Sequence, residues 1–152
     1  KGMGTTLSAL MIVQDTAYIA QVGDSRIYRL RNGELAQMTT DHTWVEETVK
    51  AGMMSREEAE AHPYKHVLTR AIGTESDMNT DIFAEPAMVG DVYMICSDGL
   101  TNHVTNEEIE QVLSENGPSE AAWSLVTKAL VGGGSDNTTV IVVRLDGLAN
   151  VS

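Results

Sequence analysis

Nine consecutive residues decide how this chain folds: Val92-Tyr93-Met94-Ile95-Cys96-Ser97-Asp98-Gly99-Leu100. The first five are apolar throughout, which predicts a strand buried on both faces of a sheet. The strand ends at an aspartate followed by glycine, so a carboxylate is expected at a rigid strand end that water or a ligand can approach. Taken alone, this stretch is equally consistent with a turn role and a ligand role for Asp98.

Strands are also predicted before and after this segment. Asn32-Gly33 is a strong hairpin signal, because both central residues of a type I′ turn need positive φ. The β-branched run near the end of the chain predicts a final strand. The other predicted strands are Thr5–Val13, Ala17–Val22, Ile27–Leu30, Glu34–Met38, Thr80–Ala84 and Thr138–Leu145.

Four helices are predicted between these strands. Asp41 or Thr43 can cap a helix that contains Trp44 and Val49, and Ser55 opens a second one with a capping box. Two more run over Asn106–Glu115 and from about Ser119 to the triple glycine at 132–134. Strands interrupted by helices predict an α+β layered fold, with Trp44 and Trp123 packed onto the sheets.

Length and charge limit the possible functions. The chain has 152 residues, enough for one domain with a core, and its net charge of −12 disfavours nucleic acid and anionic membranes as partners. Phosphorylated substrates would also be repelled unless bound cations reverse the local field. No apolar run reaches transmembrane length. The single cysteine, Cys96, is expected to be a buried free thiol, which favours the reducing cytoplasm.

Three aspartates share one pattern, because each lies at a strand end beside glycine or a small polar residue: Asp24, Asp98 and Asp136. Hard divalent cations prefer carboxylate oxygens that are held in such rigid places. Two metals together can acidify a bridging water and bind a phosphoryl oxygen. The spacing alone does not establish a metal site, and for Asp24 alone a plain turn is the stronger interpretation.

The residue identities within the motifs are more specific than the spacing of the three aspartates. In order along essentially the whole chain, five motifs and one longer stretch resemble the bacterial branch of the type-2C (PPM) metal-dependent Ser/Thr protein phosphatases. The matching segments are Gly4-Thr5-Thr6, Val22-Gly23-Asp24-Ser25-Arg26, Thr40-Asp41-His42, Glu46 to Gly73, Ile95-Cys96-Ser97-Asp98-Gly99-Leu100 and Ser135-Asp136-Asn137-Thr138-Thr139.

The resemblance implies a fold, a reaction and a set of site residues. The fold is an α-β-β-α sandwich of two antiparallel sheets flanked by helices. Two Mn²⁺ or Mg²⁺ ions hold a water that attacks phosphoserine or phosphothreonine of phosphorylated proteins in line. Asp98 and Asp136 are the implied catalytic residues and core metal ligands, and Asp24 with Asp98 holds a third, weaker ion. Residues 51–69 correspond to a mobile flap.

The chain also departs from the family pattern. An earlier Asp-Gly motif that bridges both metals, and an earlier phosphate-binding arginine, do not precede Gly4. Arg26 and Arg70 match other positions. We therefore expect residues 1–146 to be the C-terminal portion of a single phosphatase domain that lacks its N-terminal strands, followed by a tail at 147–152. Such a chain should be inactive alone, and its unpaired sheet edges should make it self-associate.

The leading hypothesis is an enzyme, a protein-serine/threonine phosphatase that opposes a cognate kinase. The alternatives are a non-catalytic PPM-like module that binds a partner, or a sporulation-type regulatory phosphatase domain. His62 and His66 have metal-ligand spacing, but Pro63 interrupts the helix between them. His42 and His103 are isolated in the sequence and are expected at caps or on the surface.

Overall fold

A computed structural model describes residues 3–74 and 79–149 of the chain. Residues 1–2, 75–78 and 150–152 lie outside the described residues, including the start of the expected domain at 1–146 and the end of the expected tail at 147–152. The strands are β1 Leu7–Val13, β2 Thr16–Val22, β3 Arg26–Arg31, β4 Glu34–Gln37, β5 Asp81–Pro86, β6 Val92–Cys96 and β7 Val140–Arg144. The helices are α1 Trp44–Lys50, α2 Arg56–Ala61, α3 Asp98–Thr101, α4 Asn106–Glu115 and α5 Pro118–Val131.

The strands form two antiparallel sheets, in the orders β1-β2-β5 and β4-β3-β6-β7. The apolar segment Val92–Cys96 is a central strand, paired on one side with β3 and on the other with β7. A central strand that is covered on both faces has no need for polar alternation, which explains its sequence. The expected architecture, two antiparallel sheets flanked by helices, is confirmed.

Two hydrophobic clusters hold the layers together. One lies between the sheets and includes Ile19, Ile27 and Tyr93. The other lies between the four-stranded sheet and helices α3, α4 and α5, and includes Leu100 and Cys96. The expected buried free thiol is confirmed, and burial raises the pKa of Cys96 to about 12. Such a thiol stays protonated and packs as a small apolar group.

Local turn and cap chemistry agrees with the sequence. Asn32 and Gly33 have φ values of 52° and 80°, as the type I′ hairpin requires. Ser55 caps α2, and its capping box with Glu58 is present. Of the two candidate caps for α1, Thr43 is the one whose side chain accepts the Glu46 backbone N–H.

Two sequence-based expectations are wrong, and one helix has no counterpart among the predicted elements. Helix α3 was missed because four residues are too few to show a periodic pattern. Trp123 was expected on the sheet but is 73% exposed, since the buried face of α5 carries Ala121, Leu125 and Ala129 instead. His42 was expected at a cap or on the surface but is buried. In the described part of the chain the helices are too short and too polar to span a bilayer.

Candidate active site

A cleft of about 580 Å³ opens where the β2–β3 turn, the residues after β6, helices α1 and α2 and the start of α4 meet. Carboxylates outnumber cations along its walls, so the cleft attracts cations before it can accept an anionic group. The acidic lining residues are Asp24, Asp41, Glu46, Glu60, Asp98 and Glu107, and the basic ones are Arg26, Arg56, Lys65 and His66.

The turn that carries Asp24 is closely packed and needs a glycine. Gly23 has a φ of +99°, and a Cβ added there would lie 2.3 Å from Cγ2 of Thr6. The hydroxyls of Thr6 and Ser25 lie 3.1 Å apart across the same turn. The positive φ and the nearby Thr6 both disfavour any residue other than glycine at position 23. The backbone of the turn is therefore restricted to one conformation, which directs Asp24 into the cleft.

The Asp24 carboxyl group is electrostatically frustrated. Partial burial, followed by the charges of Asp98 and Asp41, raises its pKa to about 6, although a backbone hydrogen bond and His66 oppose the shift. Asp24 and Asp98 both line the cleft, where their like charges disfavour ionisation of Asp24. A divalent cation between them would relieve the repulsion, and carboxylate oxygens suit Mn²⁺ or Mg²⁺.

Asp98 is the first residue of α3, directly after β6. The preceding residue, Ser97, joins this turn to the start of β7, because its hydroxyl accepts the Thr139 N–H at 3.0 Å. A Cβ added at Gly99 would lie 2.2 Å from the backbone oxygen of Asn137. Glycine at position 99 therefore lets the segment that contains Asp136 approach the helix that begins at Asp98.

Arg26 is already occupied by a partner within the cleft. Its guanidinium donates to both Asp41 oxygens, with Nε 2.9 Å from Oδ1 and Nη2 2.8 Å from Oδ2. Although burial opposes it, the hydrogen bond to Asp41 raises the pKa of Arg26. A bidentate, partly buried pair of this kind is among the stronger polar contacts in proteins. Arg26 is therefore not free to bind a substrate phosphate without losing Asp41.

The cleft is also lined by basic side chains at Arg56, Lys65 and His66. His66 Nδ1 lies 3.8 Å from Oδ2 of Asp98, and Lys65 lines the cleft beside it. Arg56, on α2, forms an ion pair with Glu46 of α1. The sequence shows only the spacing of His66 from His62, because the approach of His66 to Asp98 joins residues that are far apart in the chain and leaves no local pattern.

Asp136 lies outside the cleft lining. It is exposed, and its Oδ1 accepts the N–H of the next residue, Asn137, at 2.7 Å. The neighbouring Ser135 hydroxyl lies 2.8 Å from Nε2 of His103. The structure therefore places the Asp136 backbone segment against α3 through Asn137, while the Asp136 carboxylate remains in a local turn.

Of the three predicted ligands, Asp24 and Asp98 share the cleft and Asp136 does not line it. Across residues 3–74 and 79–149, no group of three or more His, Cys, Asp or Glu side chains is arranged to hold a metal ion. The donors fit a hard divalent cation in chemistry, yet these residues supply only part of a coordination shell.

Comparison with known proteins agrees with this fold. Residues 2–48 match the family model described as Protein phosphatase 2C. The chain is 46% identical to the serine/threonine phosphatase stp of Listeria monocytogenes serotype 4b, over 95% of this chain and 58% of that protein. The crystal structure of the Mycobacterium tuberculosis serine/threonine phosphatase PstP/Ppp matches with a TM-score of 0.92 and 40% identity, over 96% of this chain and 62% of that one.

A structure of the PstP catalytic domain in complex with two manganese ions also matches, with a TM-score of 0.83 and 40% identity over 93% of this chain and 58% of that one. The chain thus spans between 58% and 62% of the length of these three proteins. The shared architecture is that of protein serine/threonine phosphatases. The chain is similar, over most of its own length, to bacterial members of the type-2C (PPM) family of these enzymes.

Proposed function

We propose that the complete protein containing this chain hydrolyses phosphoserine and phosphothreonine in other proteins with the help of bound divalent cations. The observation that carries the proposal is the acidic cleft itself, in which the Asp24 and Asp98 carboxylates lie together. Burial and the neighbouring charges of Asp98 and Asp41 raise the pKa of Asp24 to about 6, which is consistent with this site. Perturbed carboxyl groups in a cleft are candidates for a functional site. The similar proteins from Listeria monocytogenes and Mycobacterium tuberculosis are serine/threonine phosphatases, which supports this reaction class.

Asp98 and Asp136 are the proposed core metal ligands, and Asp24 with Asp98 would hold a further, weaker ion. The ions would be Mn²⁺ or Mg²⁺, and the matching PstP structure with two manganese ions supports two core positions. When bound, such a pair supplies Lewis-acid activation of the attacking water and neutralises phosphoryl charge. The role of the chain's own residues is to hold carboxylate oxygens at rigid strand ends and to limit access from the flap.

The flap at 51–69 contains α2 and contributes Arg56, Lys65 and His66 to the cleft wall. We assign it to substrate access. The substrates would be phosphoproteins of a cognate Ser/Thr kinase. Residues 1–146 would form the C-terminal portion of one phosphatase domain, with 147–152 as a tail. The cytoplasm is the proposed compartment, because a lone buried thiol suits a reducing environment.

The direct test is Asp98→Asn in the full-length protein. We expect Mn²⁺-dependent hydrolysis of a phosphopeptide to fall by about 100-fold or more, since losing even outer-shell partners of metal ligands costs about 10- to 100-fold. The far-UV spectrum and melting temperature should stay close to those of the parent. Asp146→Asn is the matched control, because Asp146 pairs with Arg144 on the exposed surface away from the cleft. Equal activity in the Asp98 variant would remove this residue from the metal role.

We further propose that residues 1–152 alone do not catalyse this reaction. Among the described residues no group of three or more His, Cys, Asp or Glu side chains is arranged to hold a metal ion. The second candidate is a non-catalytic or regulatory phosphatase-like module. Residues 1–152 and an upstream-extended protein should both be assayed with p-nitrophenyl phosphate in millimolar Mn²⁺. We expect turnover only in the extended protein. Turnover by residues 1–152 that is lost in Asp98→Asn would contradict this proposal, and inactivity of both proteins would favour the module.

A further inference from the structure

His42 lies between the Asp24 turn and the end of the flap, and it bonds to both. It is only 4% exposed. Its backbone N–H donates to the Gly23 carbonyl at 2.9 Å, and its carbonyl accepts the Thr69 N–H at 2.9 Å. The backbone of His42 is therefore hydrogen-bonded both to Gly23, which precedes Asp24 in the turn, and to Thr69, the last residue of the flap.

The imidazole ring bonds to the same turn. The Gly23 N–H points at Nδ1 of His42 at 3.1 Å, so Nδ1 must carry a lone pair and act as the acceptor. In a neutral ring the proton then resides on Nε2, which lies 2.9 Å from Oδ2 of Asp81. This hydrogen bond is the main cause of the lowered pKa of Asp81, which keeps that carboxylate ionised as an acceptor.

Asp81 extends the chain of contacts to the flap. Its other oxygen, Oδ1, accepts from Nη1 of Arg70 at 3.1 Å. Arg70 directly follows Thr69, whose backbone is paired with His42. One continuous set of hydrogen bonds thus runs from the end of the flap through Asp81 and the imidazole to the Gly23 amide.

The Asp24 turn needs such an anchor for two reasons. Gly23 is buried, and an amide there without an acceptor would bear the full penalty of its desolvation. Asp24 also lines the same cleft as Asp41 and Asp98, so an unanchored turn would relax by moving its carboxylate away from these like charges. A metal ion needs the opposite arrangement, with both carboxylates held close before it arrives.

We propose that His42 is a positioning residue for the Asp24 carboxylate: its Nε2-protonated imidazole holds the Gly23 amide and couples the Asp24 turn to the end of the flap through Asp81 and Arg70. His42 touches neither substrate nor metal in this role. The consequence for catalysis rests on the proposed phosphatase function, whereas the tautomer and the hydrogen bond are properties of the metal-free protein.

Two substitutions test the hydrogen bonds of the two ring nitrogens separately. The Asn side-chain oxygen takes the place of Nδ1 and can accept the Gly23 N–H, whereas the Gln amide nitrogen takes the place of Nε2 and can only keep the bond to Asp81. We expect His42→Asn to bind Mn²⁺ at the weakest site within about twofold of the parent, and His42→Gln about 10-fold more weakly. Calorimetric titration of the full-length proteins measures this difference, with melting temperatures recorded beside it.

A purely structural role would make both variants lose affinity in proportion to their loss of stability, and that result would overturn the proposal. Equal affinities in the two variants, or weaker binding in the Asn variant, would do the same. Should either variant fail to fold, ¹⁵N spectra of the metal-free parent remain decisive. They should place the ring proton on Nε2 and show coupling between the Gly23 nitrogen and Nδ1. A proton on Nδ1 at neutral pH would refute the proposal.

The same measurements separate this proposal from the proposed function. If the parent protein lacks phosphatase activity, or if Asp98→Asn leaves it unchanged, the reaction assignment fails while the tautomer and the Gly23 coupling can still be observed. If activity depends on Asp98 but the Asn and Gln variants bind Mn²⁺ alike, the reaction stands and the positioning role of His42 fails.

Discussion

At the scale of single residues, the main feature of the cleft is that the fold holds several carboxylates close together despite their mutual repulsion. Asp24 is the clearest case, because burial and the charges of Asp98 and Asp41 raise its pKa to about 6. The folded chain stores this repulsion in the absence of metal. A bound cation would be attracted by the same carboxylates that repel each other without it. The Asp24 carboxylate therefore raises the affinity for metal but lowers the stability of the metal-free protein.

This opposition predicts a pH dependence for Asp24→Asn. The folded-state pKa of about 6 exceeds the ordinary value of 3.8, so the folded chain holds this proton more tightly. The associated stability is present below pH 3.8 and is lost as the pH rises through 6. Because an asparagine side chain cannot ionise, the metal-free variant should melt higher than the parent at about pH 7, and the difference should shrink towards about pH 4.

Melting temperatures in EDTA between about pH 4 and pH 8 measure this effect. Asp15→Asn is a suitable control, because Asp15 is exposed in the β1–β2 turn and lies outside the cleft. Adding Mn²⁺ to the full-length proteins should reverse the order, since the parent gains a bound ion that the Asp24→Asn variant binds less well. A variant that melts lower than the parent at neutral pH in EDTA would show that Asp24 is not under repulsion.

At the scale of elements, two glycines bring separate segments into contact at the cleft. Gly23 lets the β2–β3 turn pass close to Thr6, and Gly99 lets α3 pass close to Asn137. The second contact joins the Asp98 helix to the Asp136 segment, and it exists because residue 99 has no side chain. A side chain at position 99 should therefore separate the two segments while leaving the sheets intact.

Gly99→Ala tests this contact. The added Cβ would lie 2.2 Å from the Asn137 oxygen, so α3 or the 135–139 segment must move. Overpacking of this kind costs about 1–3 kcal/mol, which urea unfolding can measure. Gly147→Ala is the matched control, because a Cβ there meets nothing within 4 Å, and it should change stability by less than about 0.5 kcal/mol. Equal effects of the two substitutions would contradict the close approach.

Much of the secondary structure could be predicted because its signals are local. Asn32-Gly33 marks its hairpin, Ser55 and Glu58 form their capping box, and α4 begins and ends as the sequence indicates. Trp123 was misplaced because helical periodicity does not fix which face is buried when apolar residues surround the helix. The short α3 had no periodic pattern to detect.

The site was predictable mainly through its motifs. The sequence spacing of Asp24 and Asp98 gives no indication that both reach one cleft, and the resemblance to a known family supplied that expectation. The His42 network could not be found in this way. Its partners lie 19 and 39 positions away, at Gly23 and Asp81, so only the three-dimensional arrangement brings them together.

At the scale of the whole molecule, the layers are unequal. Helices α3, α4 and α5 cover one face of the four-stranded sheet, and the three-stranded sheet covers the other. The outer face of the three-stranded sheet carries exposed apolar side chains at Leu7, Met11, Val13, Tyr18 and Ile82. They are neighbours across the strands, since Met11 pairs with Tyr18 and Ala20 pairs with Ile82. A contiguous apolar face of this kind favours association.

The sheet edges add to this tendency. Within the described residues the edge strands are β1 and β5 of one sheet and β4 and β7 of the other, and β1 and β7 are rich in apolar residues. Edge strands present unpaired backbone groups to other chains. We therefore expect residues 1–152 to form dimers or larger species whose population rises with concentration, despite the net charge of −12 that opposes association.

Ile82→Lys should disperse these species, because a charge in the middle of the apolar face would be buried without a partner. Ile82 is 72% exposed in the isolated chain, so the substitution should leave the monomer's melting temperature nearly unchanged. Val131→Lys is the matched control, since Val131 is 84% exposed but lies at the end of α5. Light scattering over a dilution series measures the mean mass. A parent mass that stays monomeric at all concentrations, or equal dispersal by both substitutions, would show that this face does not drive self-association.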